Sequence, residues 1–233
     1  NRAYVRNIGF TGSTGINDDV LRREIRQMEG GYLSNAAIDR SKIRLQRLPF
    51  IEKVEVETNP VPGTPDLVDV TYDIKEGLPG QFSGGIGYSE SQSVLLNGIL
   101  VYSNFMGTGN RVAAEINAGQ YSKVFSLSHT DPYTTIDGVS RTVSATWRSI
   151  SQFTTSSSDF QTETGTLGLD YAWPLTEFQS VRMGLAAQRS DLFTDPNSSA
   201  AEALYWVQNN GNTYTEVQYV GIPPIALTYY GTK

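Results

Sequence analysis

Apolar and polar residues alternate over residues 3–10, which predicts a β-strand. Asn17 is a suitable helix N-cap, and the two aspartates after it suit the positive end of a first helical turn. The next apolar residues recur at the spacing of one helical face, at Leu21, Ile25 and Met28. We therefore expect a first helix that ends at the glycine pair of residues 30–31.

A second helix is predicted from Ser34, which can cap it, to Pro49, which would end it. Its apolar stripe is Ile38, Leu45 and Leu48. Alternating residues over 51–58 and 66–75 predict two further strands, separated by a turn rich in proline and glycine. The order β-α-α-β-β predicts a three-stranded sheet with two helices on one face, an α+β fold.

From Gly80 onward the pattern changes to alternating segments without a helix signal, and we count seven strands. They lie at 81–89, 93–104, 111–119, 122–130, 142–148, 166–173 and 180–188. One face carries isolated charges, at Arg111, Glu115, Arg148, Asp170 and Arg182. The other face is apolar, with Val143, Ala145, Trp147, Leu167, Leu169, Tyr171, Val181, Met183 and Leu185. This repeat is typical of antiparallel transmembrane β-barrel strands, with the apolar side chains facing lipid and the charges facing the lumen.

A soluble β-sandwich would give the same alternation, because its strands also have one wet face. The strands here are rich in glycine and alanine and supply few of the large aliphatic side chains that a sandwich core needs. The pattern therefore favours the barrel.

The links between strands indicate an orientation. Residues 105–110, 131–138 and 174–178 are compact and rich in turn formers, whereas the opposite links include 153–160 and the long stretch after Arg189. Outer-membrane barrels have short periplasmic turns and longer outer loops. We therefore expect the three compact links to lie on the periplasmic side.

Charge density divides the chain near Gly77. Residues 1–77 hold 11 of the 18 Lys and Arg and 12 of the 24 Asp and Glu, so the much longer remainder is sparsely charged. We expect one domain over residues 1–77 and another over 78–233, joined by a hinge at 77–80. The net charge of −6 and the lack of a basic stripe argue against nucleic-acid binding, and the lack of cysteine excludes disulfides and thiolate metal sites. The first residue directly precedes a strand, so we expect a piece of a longer protein.

Several segments resemble the BamA family of the outer-membrane β-barrel assembly machinery. VLRREIRQMEG (20–30) and RLQRLPFIEKVEVETNPVPGTPDLVDVTYDIKE (44–76) resemble the last POTRA domain of that family. FSGGIGYSES (82–91), NFMGTGN (104–110) and TDPYTTIDGVS (130–140) resemble the opening strands and turns of its barrel. Residues 191–233 match poorly. The resemblance implies a POTRA domain followed by part of a barrel, in the outer membrane with the first domain in the periplasm.

The resemblance also implies a function, the insertion and folding of outer-membrane β-barrel proteins without catalysis or a cofactor. Its partners would be unfolded outer-membrane proteins, lipid and the periplasmic lipoproteins of the complex. Two alternatives stay open: a two-partner secretion pore of the same superfamily, and a soluble structural or adhesive β protein.

The first barrel strand is the candidate site for pairing with a client strand, through Phe82, Gly84, Gly85, Ile86, Gly87 and Tyr88. By resemblance, this strand pairs loosely with the last one, and glycines weaken a strand interior. An open edge could then accept a client strand by β-augmentation. The alternative is that the glycines only relieve crowding inside the barrel.

Arg22 and Glu29 are candidates for docking a periplasmic lipoprotein. They lie seven residues apart and would share a face of the first predicted helix. We expect a Glu29→Lys change to leave the fold intact, because an acid at a helix C-terminus is unfavourable. The alternative is a solvated helix surface. His129 beside Asp131 is the only feature that suggests acid–base chemistry, and since no nucleophile motif accompanies it we expect a structural role and no enzymatic activity.

Overall fold

The computed structural model describes residues 3–64, 66–90, 93–154, 158–176, 179–194, 205, 207–209 and 213–216. The chain divides into two compact units. The first contains Asn1–Gln81 together with Tyr102–Asn110, and the second contains Phe82–Val101 and Arg111–Lys233.

The first unit has the predicted order of elements. Its strands are β1 (Tyr4–Thr11), β2 (Ile51–Pro60) and β3 (Leu67–Glu76), and its helices are α1 (Asp18–Arg22) and α2 (Asn35–Gln46). Strand β3 lies in the centre of the sheet, parallel to β1 and antiparallel to β2. The α+β prediction is confirmed.

Helix α2 begins and packs as the sequence predicts. The Ser34 hydroxyl accepts a hydrogen bond from the Ala37 amide at 3.3 Å, which satisfies one of the free donors of the first turn. Ile38 and Leu45 are buried, and they join a core made entirely of residues between Val5 and Ile74. Among the described residues, the hydrophobic core therefore lies within the β-α-α-β-β fold.

The prediction of a long first helix is wrong. Helix α1 ends at Arg22 instead of near Gly30. The Arg26 amide donates to the Ser41 hydroxyl of α2 at 2.8 Å, so it is diverted from the carbonyl that would continue the helix. The buried side chain of Gln27 then holds the turn that follows, since it donates to the Tyr32 carbonyl and accepts from the Ser34 amide. Met28, predicted on the apolar face, is 78% exposed.

The sheet of the second part contains eight strands in chain order among the described residues. They are β4 (Gly80–Ser89), β5 (Ser93–Phe105), β6 (Asn110–Ala118), β7 (Ser122–Asp131), β8 (Ser140–Thr154), β9 (Ser158–Thr176), β10 (Gln179–Thr194) and β11 (Thr213–Glu216). The pairings from β6 to β11 are antiparallel. Strand β11 was not predicted, and it lies in the stretch that resembles the family poorly. No described helix is both long and apolar enough to cross a membrane.

The register places the predicted apolar side chains on one face of this sheet. One row across five strands is Ala114, Leu127, Ala145, Leu167 and Ala187, and the next is Val112, His129, Val143, Leu169 and Leu185. The predicted charged residues lie on the opposite face, among a ladder of small polar side chains. Ser126 and Thr146 hydrogen-bond there at 3.2 Å, and Thr130 and Thr142 at 3.0 Å. The medium that each face meets remains a prediction.

The predicted alternation of link lengths is wrong. Residues 153–160 were expected to form an outer link, but β8 continues to Thr154 and β9 begins at Ser158, with Gln152 opposite Phe160. Strand β10 likewise runs past Arg189 to Thr194. The sequence of residues 153–160 is mostly polar and shows no alternation, yet the backbone ladder continues, and Gln161 donates a hydrogen bond to Ser149 across the pair of strands. The link at 119–121 is also short, although it lies on the side where the longer links were expected.

Candidate functional site

Strand β4 lies at one end of the sheet order. Among the described residues it has a neighbour, β5, on one side only. Its large apolar side chains are strongly exposed: Phe82 to 75%, Ile86 to 80% and Tyr88 to 78%. In the described residues β11, at the other end of the sheet order, is an edge in the same sense, so what distinguishes β4 is its glycines and its exposed apolar side chains.

The glycines of β4 differ in their surroundings. A Cβ built on Gly85 would lie 2.7 Å from the Asn97 Oδ1 atom of β5, so a side chain there would displace Asn97. A Cβ on Gly87 would make only an ordinary contact, 3.8 Å from the Leu95 Cβ. At Gly84 the ring of Phe82 occupies the space above the backbone, 3.1 Å from the built Cβ. A side chain at Gly85 would thus require only the end of the flexible Asn97 side chain to move, and one at Gly87 would require no movement, so crowding with β5 accounts for neither glycine by itself.

Arg22 and Glu29 do not share a helical face, because the helix ends at Arg22. They lie together at the edge of β1 instead, where Arg22 Nη1 is 3.4 Å from Glu29 Oε1. Glu29 Oε1 accepts a hydrogen bond from the Ile8 amide at 2.8 Å, and Arg22 Nη2 donates to the Ile8 carbonyl at 3.3 Å. The two side chains therefore hydrogen-bond the backbone N–H and C=O of Ile8 at the edge of the sheet. The reason for expecting Glu29→Lys to leave the fold intact, an acid at a helix C-terminus, is wrong, because the helix ends at Arg22 and Glu29 accepts a hydrogen bond from Ile8; the effect of the substitution stays a prediction.

Arg22 is the centre of a small charged cluster. It also hydrogen-bonds Asp18 one helical turn earlier, and its guanidinium lies 5.6 Å from the centre of the Phe10 ring. The hydrogen bond with Asp18 is the main cause that raises the pKa of Arg22 above its ordinary value; partial burial opposes it, and the interactions with the charges of Asp18 and Glu29 add to it. Both side chains of the Arg22–Glu29 pair remain nearly half exposed, so a partner could reach them. The alternation of residues 3–10 predicted strand β1 but did not indicate that these two side chains hydrogen-bond its backbone at Ile8.

His129 and Asp131 lie two residues apart at the end of β7. Asp131 Oδ1 accepts a hydrogen bond from the Tyr133 amide at 3.0 Å, which holds the turn after β7. His129 lies opposite Val112 and Val143 on the apolar face of the sheet. In the part of the chain that the structure describes, no three His, Cys, Asp or Glu side chains cluster as metal ligands would.

Two family matches cover most of the chain. Residues 3–77 match the POTRA family, described as a surface antigen variable number repeat, and residues 104–219 match the Omp85 superfamily domain. The first match coincides with the β-α-α-β-β fold, and the second begins within β5.

Known proteins agree with these matches. The chain is 31% identical over 189 residues to the outer membrane protein assembly factor BamA of Neisseria meningitidis, covering 80% of this chain and 24% of that protein. The crystal structure of BamA from Haemophilus ducreyi lacking POTRA domains 1–3 has a TM-score of 0.72 at 33% identity, covering 82% of this chain and 36% of that one. CdiB from Acinetobacter baumannii has a TM-score of 0.61 at 11% identity, covering 84% of this chain and 39% of that one, which shows a shared fold alone. The chain spans about a quarter of the curated relative's length.

Proposed function

Because this chain belongs to the BamA family of the Omp85 superfamily, we propose that the complete protein inserts and folds β-barrel proteins in the outer membrane. The protein lies in the outer membrane, and its POTRA domain lies in the periplasm. The relatives are named as assembly factors, and we propose that this protein too works without catalysis or a cofactor.

The place of β4 as the first strand of the barrel part, together with its glycines, supports the proposed mechanism most directly. A client strand adds to residues 82–88 by backbone hydrogen bonds, and its side chains meet the open apolar face of Phe82, Ile86 and Tyr88. Pairing of the client's backbone in a medium without water supplies the driving force, because an unpaired backbone group in lipid costs several kcal/mol. No nucleotide is needed for such a step.

The proposed partners are other components of an assembly complex and unfolded outer-membrane proteins. For a periplasmic lipoprotein we propose docking at Arg22 and Glu29, whose opposite charges are close together and half exposed. Charged side chains at the rim of an interface contribute mostly to specificity and association rate. The same pair also stabilises the edge of β1, so a test of docking has to separate the two roles.

A two-partner secretion pore is the alternative proposal. The likeness to CdiB supports the shared fold alone, because the identity is 11%. The matches to BamA at about 30% identity favour the assembly function instead.

A reversible lock on β4 tests the proposed function. The natural chain has no cysteine, so a disulfide between Ile86→Cys and a cysteine in the last strand of the complete barrel would be the only one in this part of the protein. We expect the oxidised protein to lose client insertion and the reduced protein to regain it, with each single-cysteine variant active throughout. Full insertion activity in the locked state would refute strand addition at this edge.

A further inference from the structure

The turn between β5 and β6 belongs to the first compact unit, although its two strands continue into the second. It carries the NFMGTGN sequence of residues 104–110, which the proposed function leaves without a role. The turn is tightly shaped, with positive φ at Met106 (54°) and at Gly107 (77°). A conformation that side chains rarely adopt is retained only where the surroundings hold it in place.

The side chain of Asn104 connects this turn to the loop between β1 and α1. Its Nδ2 donates to the Gly15 carbonyl at 2.9 Å, and its Oδ1 accepts from the Gly109 amide at 2.8 Å. Asn104 is only 6% exposed, and its bond to Gly109 is buried while its bond to Gly15 is partly buried. One half of the amide shapes the turn, and the other half attaches the turn to the loop.

The backbone of Gly107 makes a second connection to the same loop. Its carbonyl accepts a hydrogen bond from the Asn17 amide at 2.9 Å. A Cβ built on Gly107 would lie 3.1 Å from the Gly15 carbonyl oxygen, a tight contact for which the loop would have to give by a few tenths of an ångström. The turn therefore needs glycine for its φ, and it lies close against the loop at this position.

We propose that Asn104 is a positioning residue that latches the turn of residues 104–110 onto the loop of residues 12–17, so that the turn moves with the POTRA fold. A turn that only needed shaping would use the bond to Gly109 and leave Gly15 without a partner from the turn. A second hydrogen bond lies beside this latch: the Ser103 amide donates to the Pro79 carbonyl at 2.7 Å.

This latch deepens the proposed function, on which its consequence for β4 rests. Pro79 lies in the link that the sequence suggests as a hinge, yet Gly77 donates to the Phe50 carbonyl at 2.9 Å and Pro79 is held by Ser103. The start of β4 thus belongs to the first unit as far as Gln81. The part of the strand that is available to pair with a client begins at Phe82.

Two substitutions at one position separate the two halves of the latch. Asn104→Asp keeps an acceptor for the Gly109 amide but cannot donate to the Gly15 carbonyl, whereas Asn104→Ala loses both bonds. Hydrogen exchange of the complete protein in lipid nanodiscs reads both halves: the Gly109 amide is bonded to Asn104 directly, and the Asn17 amide is bonded to Gly107 and stays protected only while the turn is held against the loop. Asn117→Ala, at an exposed asparagine of β6, is the matched control.

We expect Asn104→Asp to raise exchange at Asn17 about fivefold, the effect of losing one ordinary hydrogen bond, and to change Gly109 less than about twofold. Asn104→Ala should raise exchange at both amides, and the control should change neither. Unchanged exchange at Asn17 in both variants would overturn the latch. So would a rise spread through the β3 amides, because Asn104 would then support the whole fold. No client takes part in this measurement, so its failure is distinct from a failure of the proposed function.

Discussion

Glu29 shows how one carboxylate can serve both a fold and an interface. Its Oε1 atom accepts from the Ile8 amide and faces Arg22, while close to half of its side chain is exposed. Losing a hydrogen bond to a charged group costs about 1.5–3 kcal/mol. The residue therefore cannot be read as a partner contact alone.

Two substitutions of Glu29 should separate these roles. Glu29→Gln keeps an oxygen acceptor for the Ile8 amide, while Glu29→Lys removes it and places a second cation beside Arg22. We expect hydrogen exchange at Ile8 to rise at least about tenfold in the lysine variant and only slightly in the glutamine variant. Binding of the periplasmic lipoprotein, measured by pull-down, should weaken in both.

Arg6→Ala is the control for this comparison, because it removes another ion pair of β1, that with Asp69, away from the proposed docking pair. It should leave lipoprotein binding unchanged. Full binding by Glu29→Gln would leave Glu29 as a structural residue only.

Among the elements, the alternating strands were the most predictable. Their apolar positions set the faces, and the register of β6 to β10 brings those residues into common rows. Helix α2 was predictable as well, because Ser34 and Pro49 mark its ends. Helix α1 was not, because a tertiary bond from Arg26 to Ser41 overrides a local pattern that fits a longer helix. The polar ends of β8 and β9 escaped prediction because backbone pairing there needs no apolar face.

Adjacent residues of β9 test which face meets lipid. Leu167 lies on the apolar face and Thr166 on the polar face. An arginine at Leu167 should destabilise the complete barrel by about 2–4 kcal/mol if the site is near the membrane midplane, whereas Thr166→Arg should cost little. Denaturant titration of the refolded barrel in vesicles measures both. Equal costs for the two variants would contradict the assignment of the faces.

At the scale of the whole chain, we propose residues 1–77 as the POTRA domain and 78–233 as part of the barrel. The first compact unit extends this division, since it also takes in residues 78–81 and the turn at 102–110. Charge density indicated the change near Gly77 but could not indicate the turn, because the contacts of Asn104 join residues far apart in sequence. Only the folded chain brings them together.

The lengths of the strands fit a membrane barrel that extends beyond the bilayer. Strands β8, β9 and β10 contain 15, 19 and 16 residues. A tilted strand needs about 9–11 residues to cross the hydrocarbon core. In the complete barrel the edge of β4 needs a partner strand, because an unpaired edge is costly in lipid, and we propose that the client is that partner during assembly.

Disulfide trapping along β4 tests this central claim most directly. Single cysteines are placed in turn at residues 82–88 of the complete protein, and a stalled client carries one cysteine in its terminal strand. We predict crosslinks that recur at every second position of β4, because alternate side chains of paired strands share a face. Matched cysteines in the interior strand β8 should give none. Crosslinks to β8 in place of β4, or a lack of any two-residue period along β4, would contradict the account.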